Sequence, residues 1–254
     1  MRILLVGRGR MGRLVESLAG DYGCEIAGIV NRPAGAGGVD AGGRGGSGGP
    51  GGSGGPGGDD RWERWSGAPG GDAVDVAIDF SSPDAVMMNV PALARRRINI
   101  VLGTTGWTEH VAALRAIVAD AGIGIVAAPN FSTGAVLFES IAAHAAKLFG
   151  RQPDFGGFVH EAHHSAKKDA PSGTALRLER AMRDAGFSRS IDMASTRAGW
   201  IPGTHTIGFD GPAETITLTH AARDRTAFAR GALAAAQWVK GKRGWFTMQD
   251  VLGL

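Results

Sequence analysis

Apolar residues open the chain as one short unbroken run, Ile3-Leu4-Leu5-Val6, and stop at a glycine. Met11, Leu14, Val15 and Leu18 then recur at the spacing of a single helix face, ending near Gly20. Glu25–Val30 reads as a second strand. Past residue 60 the same rhythm resumes, with strand Val74–Phe80, helix Asp84–Arg96, strand Ile98–Leu102 and helix Val111–Ala121. Strand Ile123–Ala127 and a long helix, Thr133–Phe149, follow. Strands alternating with helices in this way predict a parallel sheet covered on both faces. The pattern then changes. Phe155–His160 predicts a strand, and a polar loop leads into a helix from about Thr174 to Ala185. His205–Phe209 and Glu214–His220 predict antiparallel strands joined through Asp210-Gly211-Pro212, a turn-forming sequence. A last helix, about Thr226–Lys240, precedes a tail. An α/β unit followed by a smaller α+β unit is the expected architecture.

Composition narrows the classes of function. At 254 residues the chain suits one large or two modest domains. Hydrophobic residues make up 43% and charged residues 20%, as in ordinary globular proteins with a sizeable core. The 27 Lys and Arg against 24 Asp and Glu leave a net charge of +3, a mild bias towards anionic ligands. That balance argues against a dedicated nucleic-acid binder. Cys24 is the single cysteine, which excludes an internal disulfide and a Cys-rich zinc site. The first apolar run is too short for a signal sequence and none is long enough to span a membrane, so a cytoplasmic location is expected. Fifteen of the 42 glycines fall within residues 33–60, where Gly45-Gly46-Ser47-Gly48-Gly49-Pro50 is nearly repeated at residues 51–56. Such a segment has almost no bulky apolar side chains to offset the entropy of ordering, so a mobile tether inserted in the first domain is expected.

The turn after the first strand reads Gly7-Arg8-Gly9-Arg10-Met11-Gly12. In a Gly-x-Gly-x-x-Gly turn the first glycine allows the tight bend, the second admits a pyrophosphate, and the third lets helix and strand pack closely. Placed between a strand and an amphipathic helix, it predicts a Rossmann-like dinucleotide-binding domain. About 20 residues on, an acidic side chain would hold the ribose of NAD. Asn31-Arg32 stands near there instead. Arg32 reads equally as a partner for a 2′-phosphate or as a solvated loop charge. Arg8 and Arg10 add to the positive field, so NADPH is expected to be modestly preferred, with NADH still used.

The stretch Glu161-Ala162-His163-His164-Ser165-Ala166-Lys167-Lys168-Asp169-Ala170-Pro171-Ser172-Gly173-Thr174-Ala175 holds the densest candidate chemistry. Histidine and lysine can donate protons and stabilise negative charge. Ser172, Gly173 and Thr174 open a helix, where backbone N–H groups and a hydroxyl can cradle a carboxylate. No metal is expected, since adjacent histidines in extended chain point apart and no third ligand is evident. Composition alone leaves a solvated basic loop and a functional site equally open.

That stretch resembles the signature of the 4-hydroxy-tetrahydrodipicolinate reductase (dihydrodipicolinate reductase) family of lysine biosynthesis. The resemblance runs nearly the whole chain, through Gly9-Arg10-Met11-Gly12, Asp79-Phe80-Ser81, Gly103-Thr104-Thr105-Gly106 and Asn130-Phe131-Ser132. It continues in Arg197-Ala198-Gly199, Pro202-Gly203-Thr204-His205, Arg225 with Phe228, and Met248-Gln249-Asp250-Val251-Leu252. It implies that a dicarboxylate loses water and takes a hydride from NADPH or NADH at ring C4. His163 and Lys167 would be the acid and charge-stabilising residues, with His164, Ser172, Gly173 and Thr174 binding substrate. The cofactor would lie along Gly7–Gly12, Phe80, Gly103, Thr104, Thr105, Ala128, Pro129, Asn130 and Phe131, with Arg225 and Phe228 nearby. Residues 1–130, completed by 226–254, would form the dinucleotide domain, and 131–225 the substrate and oligomerisation domain of a homotetramer. Two departures stand out: the glycine segment replaces a small α/β element, and Asn31 replaces the acidic residue of many members. Two other readings remain: a different nicotinamide-dependent reductase, which would not need the His-His-x-x-Lys stretch, and a dinucleotide sensor without turnover.

Overall fold

The computed structural model describes residues 1–31 and 74–254. Arg32 and the glycine-rich segment 33–60 lie outside the described residues. In chain order the elements are β1 (Arg2–Val6), α1 (Arg10–Leu18), β2 (Glu25–Val30), β3 (Val76–Asp79), α2 (Pro83–Arg95), β4 (Asn99–Leu102), α3 (Val111–Ala121) and β5 (Gly124–Ala127). There follow α4 (Thr133–Phe149), β6 (Gly156–His163), α5 (Gly173–Asp184), β7 (Ile191–Arg197), β8 (Thr204–Asp210), β9 (Thr215–Ala221), α6 (Thr226–Val239), β10 (Gly244–Phe246) and α7 (Met248–Leu252). They form two compact units, Met1–Ile125 with Val239–Trp245, and Val126–Trp238 with Phe246–Leu254. Among the described residues no helix is long and apolar enough to cross a membrane.

The first sheet runs β10-β5-β4-β3-β1-β2, and β2, β1, β3 and β4 pair in parallel. Its strands are continuous apolar runs because both faces are covered. Ile3, Leu4, Leu5, Val76, Ala77, Ile78, Ile100, Val101 and Leu102 have no solvent exposure. From β1 the chain passes to β2 on one side, and β3 lies on the other. That reversal opens a crevice at the carboxyl ends of β1 and β3, where open parallel sheets bind ligands. The glycine turn sits there.

The second sheet, β7-β6-β8-β9, is mixed. β6 pairs with β7 in parallel and with β8 antiparallel, and β8 pairs antiparallel with β9. One face changes character along its length. Val159, Ile191, Ile207 and Phe209 pack with Phe138, Ala142 and Ala146 of α4 and with Leu178 and Met182 of α5. Further along the same face come Glu161, His163 and His205, all buried. The sheet thus carries an apolar core at one end and a polar cluster at the other.

Among the described residues, β7, β10 and α7 lie outside the sequence expectation. β7 is a half-exposed edge strand, Ile-Asp-Met-Ala-Ser-Thr-Arg, without the bulky alternation that marks a strand. β10 has only three residues. α7 is a single short helix whose signal was present: Thr247 and Asp250 form a reciprocal capping box. β6 also runs on to His163, three residues past its expected end.

Candidate functional site

The first cluster is built on the glycine turn. Gly7 has a left-handed φ of +87°, and a Cβ there would stand 2.5 Å from the Phe80 carbonyl oxygen. A Cβ on Gly12 would come within 2.1 Å of the Gly7 carbonyl oxygen, and one on Gly103 within 2.1 Å of the Phe80 ring. These three glycines let the ends of β1, β3 and β4 interlock. Gly9 differs, since nothing lies within 4 Å of its Cβ position. It caps α1 without any side-chain hydrogen bond, leaving the first-turn N–H groups to a ligand. An uncapped helix start beside an open glycine fits a pyrophosphate.

The surrounding polar groups are committed in different ways. Asn31 Oδ1 lies 3.5 Å from the Arg8 N–H, which places its carboxamide beside the turn. Arg8 donates to Glu16 through Nε at 2.9 Å and Nη2 at 3.1 Å, so its charge is already paired. Arg10 is exposed on the first turn of the helix. Asp79 is fully buried, and burial pushes its pKa up against the hydrogen bonds it accepts. Those come from Asn89 at 2.9 Å, the Ser81 N–H at 2.9 Å and the Thr104 hydroxyl at 3.0 Å. The Thr104 side chain is therefore part of the scaffold, while Thr105 is exposed.

In the second unit, Pro129 is exposed and Asn130 half-buried, with Asn130 Oδ1 accepting from the Ser132 N–H at 2.8 Å. Ala128 and Phe131 are buried, and a Cβ on Gly231 would stand 1.7 Å from the Phe131 carbonyl oxygen. The Phe131 ring thus packs inside the protein. Arg225 is exposed and Phe228 half-buried at the start of α6, linked by the Phe228 N–H to the Arg225 carbonyl at 3.2 Å.

The second cluster gathers around Glu161, which is wholly buried. Its Oε1 accepts from Arg197 Nη2 at 2.6 Å and from the Ser172 N–H at 3.3 Å. Its Oε2 is in close contact with His163 Nδ1, though off the line of an ideal hydrogen bond. Burial works against the Glu161 charge, but hydrogen bonds from Arg197 and Ser195 and the charges of His163 and Arg197 bring its pKa down to about 2. His163 is lowered mainly by burial, with Glu161 opposing that shift. Beside it, His205 stands edge-on to the His163 ring with centroids 5.1 Å apart. One His205 nitrogen, Nε2, lies 3.1 Å from the Ser172 hydroxyl.

Ser172 caps α5, accepting from the Ala175 N–H at 3.2 Å. Next to it, the Cβ position of Gly173 is clear but for Arg177 Nη1 at 4.0 Å. Thr174 accepts from Arg177 Nη2 at 3.2 Å. With the Ser172 N–H taken by Glu161, the helix start offers the Gly173 and Thr174 N–H groups beside the Arg177 guanidinium, which also pairs with Glu139 at 3.3 Å, a setting that suits a carboxylate. Past the end of β6, the His164 carbonyl accepts from the Lys167 N–H at 3.1 Å in the turn that carries the lysine. Lys167 Nζ donates to both Asp169 oxygens, at 2.7 and 2.8 Å. The expected His163, His164, Lys167, Ser172, Gly173 and Thr174 thus belong to one neighbourhood.

Glu161, Arg197 and His205 join the cluster without a role expected from the sequence. A third ligand type does exist here, since donor atoms of Glu161, His163 and His205 lie within 4.8 Å of one another. Arg197 donates to Glu161 Oε1 at 2.6 Å, which leaves Oε2, the oxygen facing His163 Nδ1, directed into the cluster.

Comparison with known proteins gives a consistent picture. Residues 1–131 match the family model for the N-terminus of dihydrodipicolinate reductase, and residues 134–252 match that for its C-terminus. The chain is 40% identical to a 4-hydroxy-tetrahydrodipicolinate reductase of Alkalilimnicola ehrlichii, covering 100% of this chain and 99% of that protein. It is 36% identical to the one of Thiobacillus denitrificans over the same shares of each chain. Among solved structures, a dipicolinate-bound dihydrodipicolinate reductase from Paenisporosarcina sp. TG-14 aligns with a TM-score of 0.74. That match covers 98% of both chains at 22% identity, which bears on the fold alone.

Proposed function

Because the chain belongs to the dihydrodipicolinate reductase family, we propose how its reaction is divided among the residues described above. The enzyme is an NAD(P)H-dependent oxidoreductase that reduces 4-hydroxy-tetrahydrodipicolinate to tetrahydrodipicolinate with loss of water, in the diaminopimelate route to lysine. The bound nicotinamide supplies the hydride. Gly7, Gly9 and Gly12 with the first turn of α1 would hold its pyrophosphate, flanked by Asn31, Phe80, Gly103 and Thr105. Ala128–Phe131, Arg225 and Phe228 complete the proposed contacts, with Phe131 acting through its backbone.

Hydride addition to a conjugated imine leaves an electron-rich enamine that must take a proton, and the substrate brings two carboxylates. The N–H groups at Gly173 and Thr174 bind one carboxylate, with the Ser172 side chain and Arg177 beside them. His163 and Lys167 supply the proton and stabilise the charge that builds up. His164 is a further substrate contact. The observation that carries this assignment is that Glu161 binds both His163 and the Ser172 N–H, tying the acid to the anion cradle. A coupled assay with freshly generated substrate, following NADPH and NADH oxidation, tests it. No turnover with either cofactor would overturn the assignment.

NADPH is the preferred cofactor in this proposal. Asn31 does not repel a 2′-phosphate, and Arg32 offers a permanently charged fork for one. A charge-assisted hydrogen bond is worth roughly 1.5–3 kcal/mol, and exposure reduces it. The preference is therefore about three- to thirtyfold in kcat/KM. With Arg8 already paired to Glu16, most of it rests on Arg32. Arg32→Ala should shrink the ratio and Asn31→Glu invert it; equal use of both cofactors by the wild type would remove the preference. Residues 1–130 with 226–254 serve the dinucleotide and 131–225 the substrate and self-association, in a cytoplasmic homotetramer.

A further inference from the structure

In the reaction proposed above Glu161 does no chemistry of its own and only joins His163 to the Ser172 N–H. A buried carboxylate paired with an arginine is usually only structural, and such pairs contribute little net stability. Two features of this one go further. Its second oxygen faces the imidazole rather than another part of the scaffold. The other imidazole nitrogen, Nε2, is opened by a glycine: a Cβ on Gly203 would stand 3.1 Å from it. Gly203 has a φ of +151° and no side chain to cover that nitrogen.

Resting on the reductase reading, we infer that Glu161 is a positioning residue for proton transfer, holding His163 with Nδ1 protonated and Nε2 open beside Gly203. Through the Ser172 N–H it also keeps the carboxylate-binding start of α5 in register with that nitrogen. A carboxylate on one ring nitrogen fixes the tautomer and favours the imidazolium at the other. Arg197 from β7 keeps Glu161 ionised but opposes a charge on His163, as does Lys167, which Asp169 partly offsets. His205 from β8 is neutral in this setting, and its further neighbours are His220 of β9 and Arg177 of α5. Glu161 is thus the negative charge in contact with the ring.

The test combines kinetics with a measurement that needs no turnover. Nitrogen-15 NMR of the imidazoles in the substrate-free enzyme should show His163 as the Nδ1–H tautomer. Glu161→Gln should mix the tautomers and lower the pH at which the ring titrates. In the kinetics, kcat should fall about 10²–10⁴-fold, the range for removing a carboxylate that orients a catalytic histidine. The alkaline limb, where the acid loses its proton, should move to lower pH. Glu161→Asp, which keeps the charge, should restore the position of that limb more than the rate. KM for the dinucleotide should not change. An Nε2–H tautomer in the wild type would overturn the inference even if no variant folds. So would wild-type kcat and an unmoved limb in a folded Glu161→Gln. Absence of wild-type turnover would instead strike the reductase reading and leave the tautomer result standing.

Discussion

His205 is 6% exposed, and burial, with the nearby His163, depresses its pKa to about 4. Its ordinary value is 6.5, so the unfolded chain binds this proton more readily than the native one. The stability His205 contributes is fully present above about pH 6.5 and is lost as pH falls towards 4. A difference of that size is worth about 3 kcal/mol at most. Denaturant midpoints between pH 7 and 4 should therefore fall steeply in the wild type and less steeply in His205→Gln. Parallel curves would show that the ring does not carry the effect. His163 and Lys167 are tested differently. His163→Ala or Lys167→Ala should lower turnover roughly 10²–10⁴-fold, while the dissociation constant for NADPH, measured by fluorescence, should scarcely move. Near-wild-type turnover in both variants would remove them from the mechanism.

At the scale of elements, the strand–turn–helix opening of the chain separates two roles for glycine. At Gly12 an added Cβ would meet the Gly7 carbonyl oxygen at 2.1 Å, whereas at Gly9 it would meet nothing within 4 Å. Gly12→Ala should therefore destabilise the protein by about 1–3 kcal/mol, as overpacking does. Gly9→Ala should keep its melting temperature yet bind dinucleotide more weakly, because the new methyl group enters the space proposed for the pyrophosphate. Calorimetry and cofactor titration on the two variants check this contrast. The turn was legible in the sequence because its meaning is local, with every residue within one bend. The His163–Thr174 stretch was legible for the same reason. Glu161, Arg197 and His205 were not, because what joins them is cross-strand register: Glu161 lies opposite both Ser195 and His205, and His163 opposite Arg197. A single polar residue in an alternating strand gives no sign that its neighbour comes from 36 residues away. β7 leaves little trace in the sequence because an edge strand needs little apolar surface.

For the molecule as a whole, the two faces of the second sheet are unequal. The face away from α4 and α5 carries exposed His160, Thr196, Thr217 and Thr219, with Thr206 and Thr219 hydroxyls 2.9 Å apart. The proposed tetramer would place this face against another copy. Thr217→Lys with Thr219→Lys should shift sedimentation to smaller species, since like charges would then face each other. A monomeric wild type would overturn the tetramer itself. The first sheet has a different consequence, one of timing. Its outer strand β10 comes from residues 244–246, beside β5 at residues 124–127. The buried Asn99 side chain likewise donates to the Val239 carbonyl at 2.6 Å, 140 residues further on. At synthesis rates of about 5–20 residues per second, β5 is complete roughly 6–24 s before its neighbour is made. Throughout that interval the nascent chain presents an unpaired apolar strand edge, the feature that strays most readily into wrong pairings. Yield of this protein should therefore respond to translation speed and chaperone supply in the stretch between the two strands.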